Sequence, residues 1–303
     1  MTVIAVVGPT AAGKSALSIA LAHRLGGESG CEIVNADSMQ LYQGMDIGTA
    51  KLTMAEREGV PHHLLDIWPV TQVASVAGYQ TLARAEIDKI LGKGKIPLLV
   101  GGSGLYVRAV LEDFDFPGTD TGLRVSLEAE LATVGPGEMH RRLAEIDPEA
   151  AANILASNGR RIVRALEVIS LTGRPFTAAL PTEPKRVYDA VQIAVDRDDL
   201  DERIERRVDG MWREGFVDEV RRLEAQGLRA GVTASRALGY QQILGFLDGS
   251  FSEEQAYLAT ITGTRRFVRR QRSWFRRDPS VVWLDGAAPD LAERALKLIG
   301  QSR

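Results

Sequence analysis

Cysteine occurs once in 303 residues, at Cys31. One thiol cannot close an internal disulfide, which excludes a disulfide-stapled secreted scaffold. Four histidines and one cysteine leave little material for a zinc site. The neighbours His62 and His63 lack the spacing of metal ligands and read as solvated or capping residues. No apolar run reaches the ~18 residues that a membrane span requires. The opening MTVIAVVGPT has a short apolar run with no basic stretch before it, so no signal peptide is expected and a cytoplasmic location is.

What remains is ordinary globular material, 45% hydrophobic and 25% charged, enough for one large domain or two smaller ones. Net charge is only −3, but it is unevenly spread. Thr264 to Arg277, TRRFVRRQRSWFRR, holds seven arginines and no acid. One strongly positive face on an acidic body suggests a polyanionic partner.

Residues 2–7, TVIAVV, form a β-branched run that reads as a buried strand, and KSALSIALAHRL has helical spacing. EIVNA (32–36), IPLLV (96–100), 187–195 and 280–284 read as further strands, with helices at 73–91, 199–226 and 253–276. Alternating strands and helices predict a parallel sheet covered on both faces. Between the linker-like DFDFPGTDTG and the Pro-rich PFTAALPTEP only helical patterns occur. The fold class is therefore α/β, a P-loop parallel-sheet core (1–116 and 187–303) with an inserted all-helical domain (117–186).

Three segments carry chemistry. Gly8-Pro9-Thr10-Ala11-Ala12-Gly13-Lys14-Ser15 fits the phosphate-loop pattern G-x-x-x-x-G-K-[ST], between a strand and a helix as that motif requires. Backbone N–H groups and the helix N-terminus would cradle phosphate, Lys14 would add a point charge and Ser15 would hold Mg²⁺. Asp37-Ser38 follows the second strand, where a base would face that loop; a helix N-cap fits the same residues. Gly101-Gly102-Ser103-Gly104 lies at the same edge and reads either as a close-approach loop with a hydroxyl or as a tight turn. Arg265, Arg266, Arg269 and Arg270 share a helix with Phe267 and Trp274, a pattern suited to phosphates and stacked bases, or else to a solvated face. Arg160, Arg161 and Arg164 form a second basic set.

GPTAAGKS, NADSMQLYQGMDIGTAK, VGGSGLYVRAVL, RRIVRALEV, SRALGYQQI and TRRFVRRQRSWFR occur in this order, and together they closely resemble the bacterial tRNA dimethylallyltransferase (isopentenyl-tRNA transferase) family. The resemblance implies transfer of a dimethylallyl group from dimethylallyl diphosphate to N6 of the adenosine at position 37 of tRNA. It implies Mg²⁺ as cofactor and the anticodon stem-loop as partner, with no stable protein partner. It carries the family's diphosphate loop onto Gly8–Ser15 and a diphosphate-facing arginine onto Arg207. Asp37 takes the place of the general base, and Ser103 that of the hydroxyl near the target adenosine, where the family commonly has Thr. RNA contacts map to Asp37, Ser38, Met39, Gln40, Ser103, Arg124, Arg160 to Arg164, Arg236 to Gln241, and Arg265, Arg269 and Arg270 of the basic helix.

Two other readings compete. A P-loop kinase of a small metabolite accounts for the phosphate loop but leaves the Arg-aromatic helix without a purpose. A non-catalytic RNA-binding module accounts for the arginines but not for Lys14, Ser15 and Asp37. The second strand-end glycine pair also lacks the Asp that a nucleotide hydrolase often places there to organise Mg²⁺ and water.

Overall fold

In β1 (Thr2–Val7), Val3 through Val7 are all buried. Successive strand side chains face opposite sides, so a strand apolar on both must be covered on both. The computed structural model describes residues 2–114, 116–176 and 185–301. In chain order its first half gives α1 (Lys14–Arg24), the one-turn α2 (Gly27–Gly30), β2 (Cys31–Asn35), β3 (His62–His63), α3 (Val76–Gly92), β4 (Ile96–Val100) and α4 (Gly104–Leu111). After three helices considered below come β5 (Asp189–Asp196), α8 (Leu200–Arg213), α9 (Phe216–Ala225), α10 (Tyr240–Leu247), α11 (Glu253–Phe275), β6 (Val281–Asp285) and α12 (Leu291–Gln301). The strands form one sheet of order β3-β2-β4-β1-β5-β6, parallel throughout.

The two faces of β1 belong to two cores. Ile4 and Val6 join Leu98 and Ile193 against Leu17 and Leu21 of α1, Ile204 of α8 and Ile299 of α12. Val3 and Ala5 join Val34 and Leu99 against Tyr79 and Ile87 of α3 and Val107 of α4. A third cluster packs α8, α9 and α10 around Phe216, Tyr240, Met45 and Tyr42.

The chain forms two compact units, Met1–Glu112 with Arg186–Arg303, and Asp113–Lys185. In the second unit every regular element among the described residues is helical: α5 (Thr121–Ile146), α6 (Pro148–Ala152) and α7 (Gly159–Thr172). Gly135 (φ 80, ψ 166) and Pro136 interrupt α5, because proline cannot donate to the preceding turn. Leu127, Met139, Leu143, Ile162 and Leu166 give this unit its own core. Of the Pro-rich stretch expected to close it, residues 177–184 lie outside the described residues.

Three local expectations are corrected. The helical span 199–226 is two helices, broken at Gly215 in the left-handed region (φ 93). A helix over Tyr240–Leu247 was not anticipated. His62 and His63 are half-buried and form the edge strand β3 instead of capping, and His63 Nε2 lies 2.7 Å from Glu32 Oε2. Burial would raise the Glu32 carboxyl, but hydrogen bonds from Lys95, His63 and Lys93 hold it down at about 2. No described helix is long and apolar enough to cross a membrane.

Candidate active site

The sheet order sets β2, β4 and β1 side by side. Because they are parallel, the segments leaving their carboxyl ends converge at one edge: Asp37-Ser38 after β2, Gly101 to Gly104 after β4, and Gly8 to Ser15 after β1. This is where open α/β sheets place ligands.

The Gly8–Ser15 loop runs from β1 into α1. Gly8 has φ 122, and a Cβ there would lie 2.4 Å from the Val195 carbonyl oxygen, so only glycine fits. Ala11 also adopts positive φ (64), an uncommon state for a residue with a side chain. Its carbonyl accepts a hydrogen bond from Arg203 Nε at 2.8 Å. Lys14 Nζ donates to the Pro9 carbonyl at 2.7 Å, and Ser15 is exposed in the first turn of α1. Arg207, one turn beyond Arg203 on α8, donates to the Thr49 carbonyl at 3.2 Å. Loss of hydration pushes the Lys14 amine down, the Asp37 carboxylate pulls it back, and Arg207 pushes it down again, leaving it at about 8. Burial likewise lowers Arg207, against the pull of Asp37. Lys14, Arg207 and Asp37 thus share one electrostatic neighbourhood: two crowded cations and one carboxylate.

Asp37 is fixed through its backbone. Its N–H donates to Asn35 Oδ1 at 2.9 Å, and its carbonyl accepts from Asn35 Nδ2 at 3.0 Å. Asp37 Oδ1 accepts the Met39 N–H at 2.9 Å, so the residue closes a local turn instead of capping a helix. Ser103 precedes α4 but makes no capping bond with its side chain. Its hydroxyl instead meets the Ser38 N–H at 3.2 Å and Ser38 Oγ at 3.3 Å. A Cβ on Gly102 would fall 2.2 Å from Gln271 Nε2 and 3.2 Å from the Gly8 carbonyl oxygen. The glycines after β4 therefore serve close approach.

The stretch GMDIGTAK is anchored from both sides. Buried Glu219 accepts the N–H groups of Asp46, Ile47 and Gly48 at 3.1, 2.7 and 3.2 Å, and the Tyr240 hydroxyl at 2.5 Å. Buried Lys51 reaches Asp46 and Asp66, each at 2.6 Å. The carbonyl of Thr49 that this loop presents also accepts from Gln40 Nε2 at 3.1 Å.

On α11, Arg266, Arg269 and Arg270 are exposed on the side opposite the buried Thr264, Val268, Gln271 and Phe275. Arg265 is ion-paired with Glu205 and Asp201, and Arg272 grips Asp196 bidentately at 2.8–2.9 Å. Arg236, ahead of α10, and Gln241, in its first turn, are exposed. In the helical unit Arg160 and Arg161 are exposed, whereas Arg124 and Arg164 both pair with buried Glu167. Burial would raise that carboxyl, and the two guanidinium groups hold it below its ordinary value.

Residues 40–278 match the IPP transferase family model. A tRNA dimethylallyltransferase of Salinispora arenicola is 68% identical over 300 residues, spanning 98% of this chain and 86% of the relative. The chain belongs to the IPP transferase family. Its fold matches that of a tRNA isopentenylpyrophosphate transferase from Bacillus halodurans with a TM-score of 0.73 and 40% identity, over 99% of this chain and 96% of that one. A eukaryotic dimethylallyltransferase, solved in snapshots acting on tRNA, aligns with a TM-score of 0.79 and 25% identity, over 97% of this chain and 77% of that one.

The family-model match begins at residue 40, after the phosphate loop and Asp37. Three site residues escaped the sequence reading, and each had a signal. Arg203 stands four residues before Arg207, on the same helical face. Glu219 interrupts the apolar stripe Phe216, Val217, Val220, Leu223. Gln271 does the same between Val268 and Phe275.

Proposed function

We propose that this chain transfers a dimethylallyl group from dimethylallyl diphosphate to N6 of the adenosine at position 37 of tRNA, releasing diphosphate. The observation that carries this reading is the convergence of a phosphate loop, two crowded cations and a turn-held carboxylate at one sheet edge, in a chain 68% identical to a tRNA dimethylallyltransferase.

The adenine amine is a weak nucleophile, because its lone pair is delocalised into the ring. The donor must therefore be a strong electrophile, and an allylic carbon next to a diphosphate is one. As N6 attacks, the carbon–oxygen bond to diphosphate breaks and negative charge builds on the leaving oxygens. Lys14, Arg207 and the backbone N–H groups of Ala11 to Ser15 meet that charge, with Arg203 one turn away. Asp37 orients the amine and takes its proton. Ser103, bonded to Ser38, keeps the acceptor turn in register.

Mg²⁺ suits the exposed Ser15 hydroxyl. Among the described residues no group of three or more His, Cys, Asp or Glu side chains could hold a metal, so the diphosphate oxygens and water would supply the other ligands, as is usual for this ion. Bound there, Mg²⁺ would neutralise leaving-group charge. The exposed Arg266, Arg269 and Arg270, with Arg160 and Arg161, meet RNA phosphates of the anticodon stem-loop. The adenine leaves its stack to reach the sheet edge.

The test is mass spectrometry of nucleosides from unmodified tRNA incubated with the protein, Mg²⁺ and dimethylallyl diphosphate, with ATP replacing the donor as control. N6-dimethylallyladenosine appearing only with the allylic donor supports the assignment. Absence of that product together with phosphate transfer from ATP would replace it by the kinase reading.

A further inference from the structure

Gln271 lies in the buried stripe of α11, only 4% exposed. Its Oε1 accepts the backbone N–H of Thr10 at 2.9 Å, and its Nε2 donates to the carbonyl of Gly102 at 2.9 Å. The amide orientation is forced, because one neighbour is a donor and the other an acceptor. One side chain therefore ties the phosphate loop to the turn after β4. That turn continues into Ser103, whose hydroxyl bonds Ser38 beside Asp37. The connection from the donor side of the site to the acceptor side runs Thr10, Gln271, Gly102, Ser103, Ser38. Gly102 has no room for a side chain because the Gln271 amide fills that space.

We propose that Gln271 is a positioning residue for the transfer, setting the spacing between the Thr10 segment that cradles diphosphate and the Gly102–Ser103 turn on the acceptor side. The inference rests on the reading of Gly8–Ser15 as the diphosphate loop. Alkyl transfer needs the amine and the allylic carbon in near-attack contact, and a misplacement of about 1 Å costs on the order of a hundredfold in rate. A single buried amide with both bonds made is a short, stiff spacer for that purpose. Its helix presents Arg266, Arg269 and Arg270 on the opposite side, so loss of the amide should alter turnover and leave RNA affinity alone.

Two variants test this, with Lys14→Ala as a reference. Gln271→Met keeps length and removes both hydrogen bonds. It should lower kcat about tenfold or more, with tRNA affinity within about twofold of the parent. Gln271→Glu retains an acceptor for Thr10 but cannot donate to Gly102 once ionised; a protonated carboxyl can. Its kcat relative to the parent should therefore recover as pH falls from 8 to 6, whereas that of Gln271→Met stays flat. Taking the ratio to the parent removes the pH effects that both proteins share. If Gln271→Met does not fold, the pH recovery of Gln271→Glu decides alone. Parent-like kcat in Gln271→Met, or no pH recovery in Gln271→Glu, overturns the proposal. If Lys14→Ala transfers normally, the diphosphate-loop reading fails instead, and the two failures are told apart.

Discussion

If Lys14 meets the donor diphosphate as proposed, it should couple donor binding to pH. Its amine sits at about 8 in the free protein, against an ordinary value of 10.5, because it is stripped of water and crowded by Arg207. A diphosphate against the amine supplies the missing counter-charge and returns the amine toward its ordinary value or above. Below pH 8 the amine is charged before and after binding, and affinity does not depend on it. Above pH 8 the free protein must capture a proton as the donor binds, so affinity falls up to tenfold per pH unit until the pKa of the bound state is reached. Between pH 7 and 9 the donor dissociation constant should therefore rise about tenfold, equivalent to about 1.4 kcal/mol. The donor itself does not offset this above pH 8, since a phosphate second ionisation with a pKa of about 6 is nearly complete by pH 7. The assay is the donor KM at saturating tRNA, at fixed ionic strength from pH 6.5 to 9.5. Lys14→Arg keeps a fixed charge and should flatten the profile, at weaker affinity. A flat profile in the parent, or an unchanged rise in Lys14→Arg, would refute this account of the loop.

Asp37→Asn should lower kcat by about a hundredfold or more, the usual worth of a general base, and tRNA affinity in a filter-binding assay far less; retained turnover removes the carboxylate from proton transfer. Arg266→Ala, Arg269→Ala and Arg270→Ala should each weaken tRNA binding and reduce the slope of log K against log salt by about 0.7 to 0.9, so an unaltered slope in all three takes α11 off the RNA face. Glu219→Ala leaves three backbone N–H groups and the Tyr240 hydroxyl without their acceptor. At about 1–3 kcal/mol for each buried unsatisfied donor, denaturant unfolding should show a loss of 3 kcal/mol or more, and a loss under about 1 kcal/mol would mean that the loop finds other partners.

The parts of this molecule that were legible beforehand are those whose role is written in consecutive residues. A β-branched run followed by glycine, four residues, and Gly-Lys-Ser specifies strand, cradle and helix through local backbone chemistry, and TVIAVVGPTAAGKS folds in that way. The parallel sheet followed because strands apolar on both sides alternate with amphipathic helices. What was not legible depends on partners far along the chain. Gln271 acts on Thr10, 261 residues away, and on Gly102, 169 residues away. Glu219 holds a loop about 170 residues before it. Neither connection leaves a local pattern beyond a polar residue in an apolar stripe.

The arginines make the same point from the opposite direction. Arg124, Arg164 and Arg265 look interchangeable with Arg160 and Arg269 in a count of basic residues. Yet Arg124 and Arg164 together neutralise Glu167, which is fully buried, and Arg265 is held by Glu205 and Asp201. A buried carboxylate stripped of its partners is costly, so releasing Arg124 or Arg164 to an RNA phosphate requires the other to hold Glu167 alone. Arg266, Arg269 and Arg270 carry no such obligation to an acid among the described ion pairs. RNA affinity should therefore respond more to neutralising these three than to neutralising Arg124 and Arg164, whose loss should appear first in the stability of the helical unit.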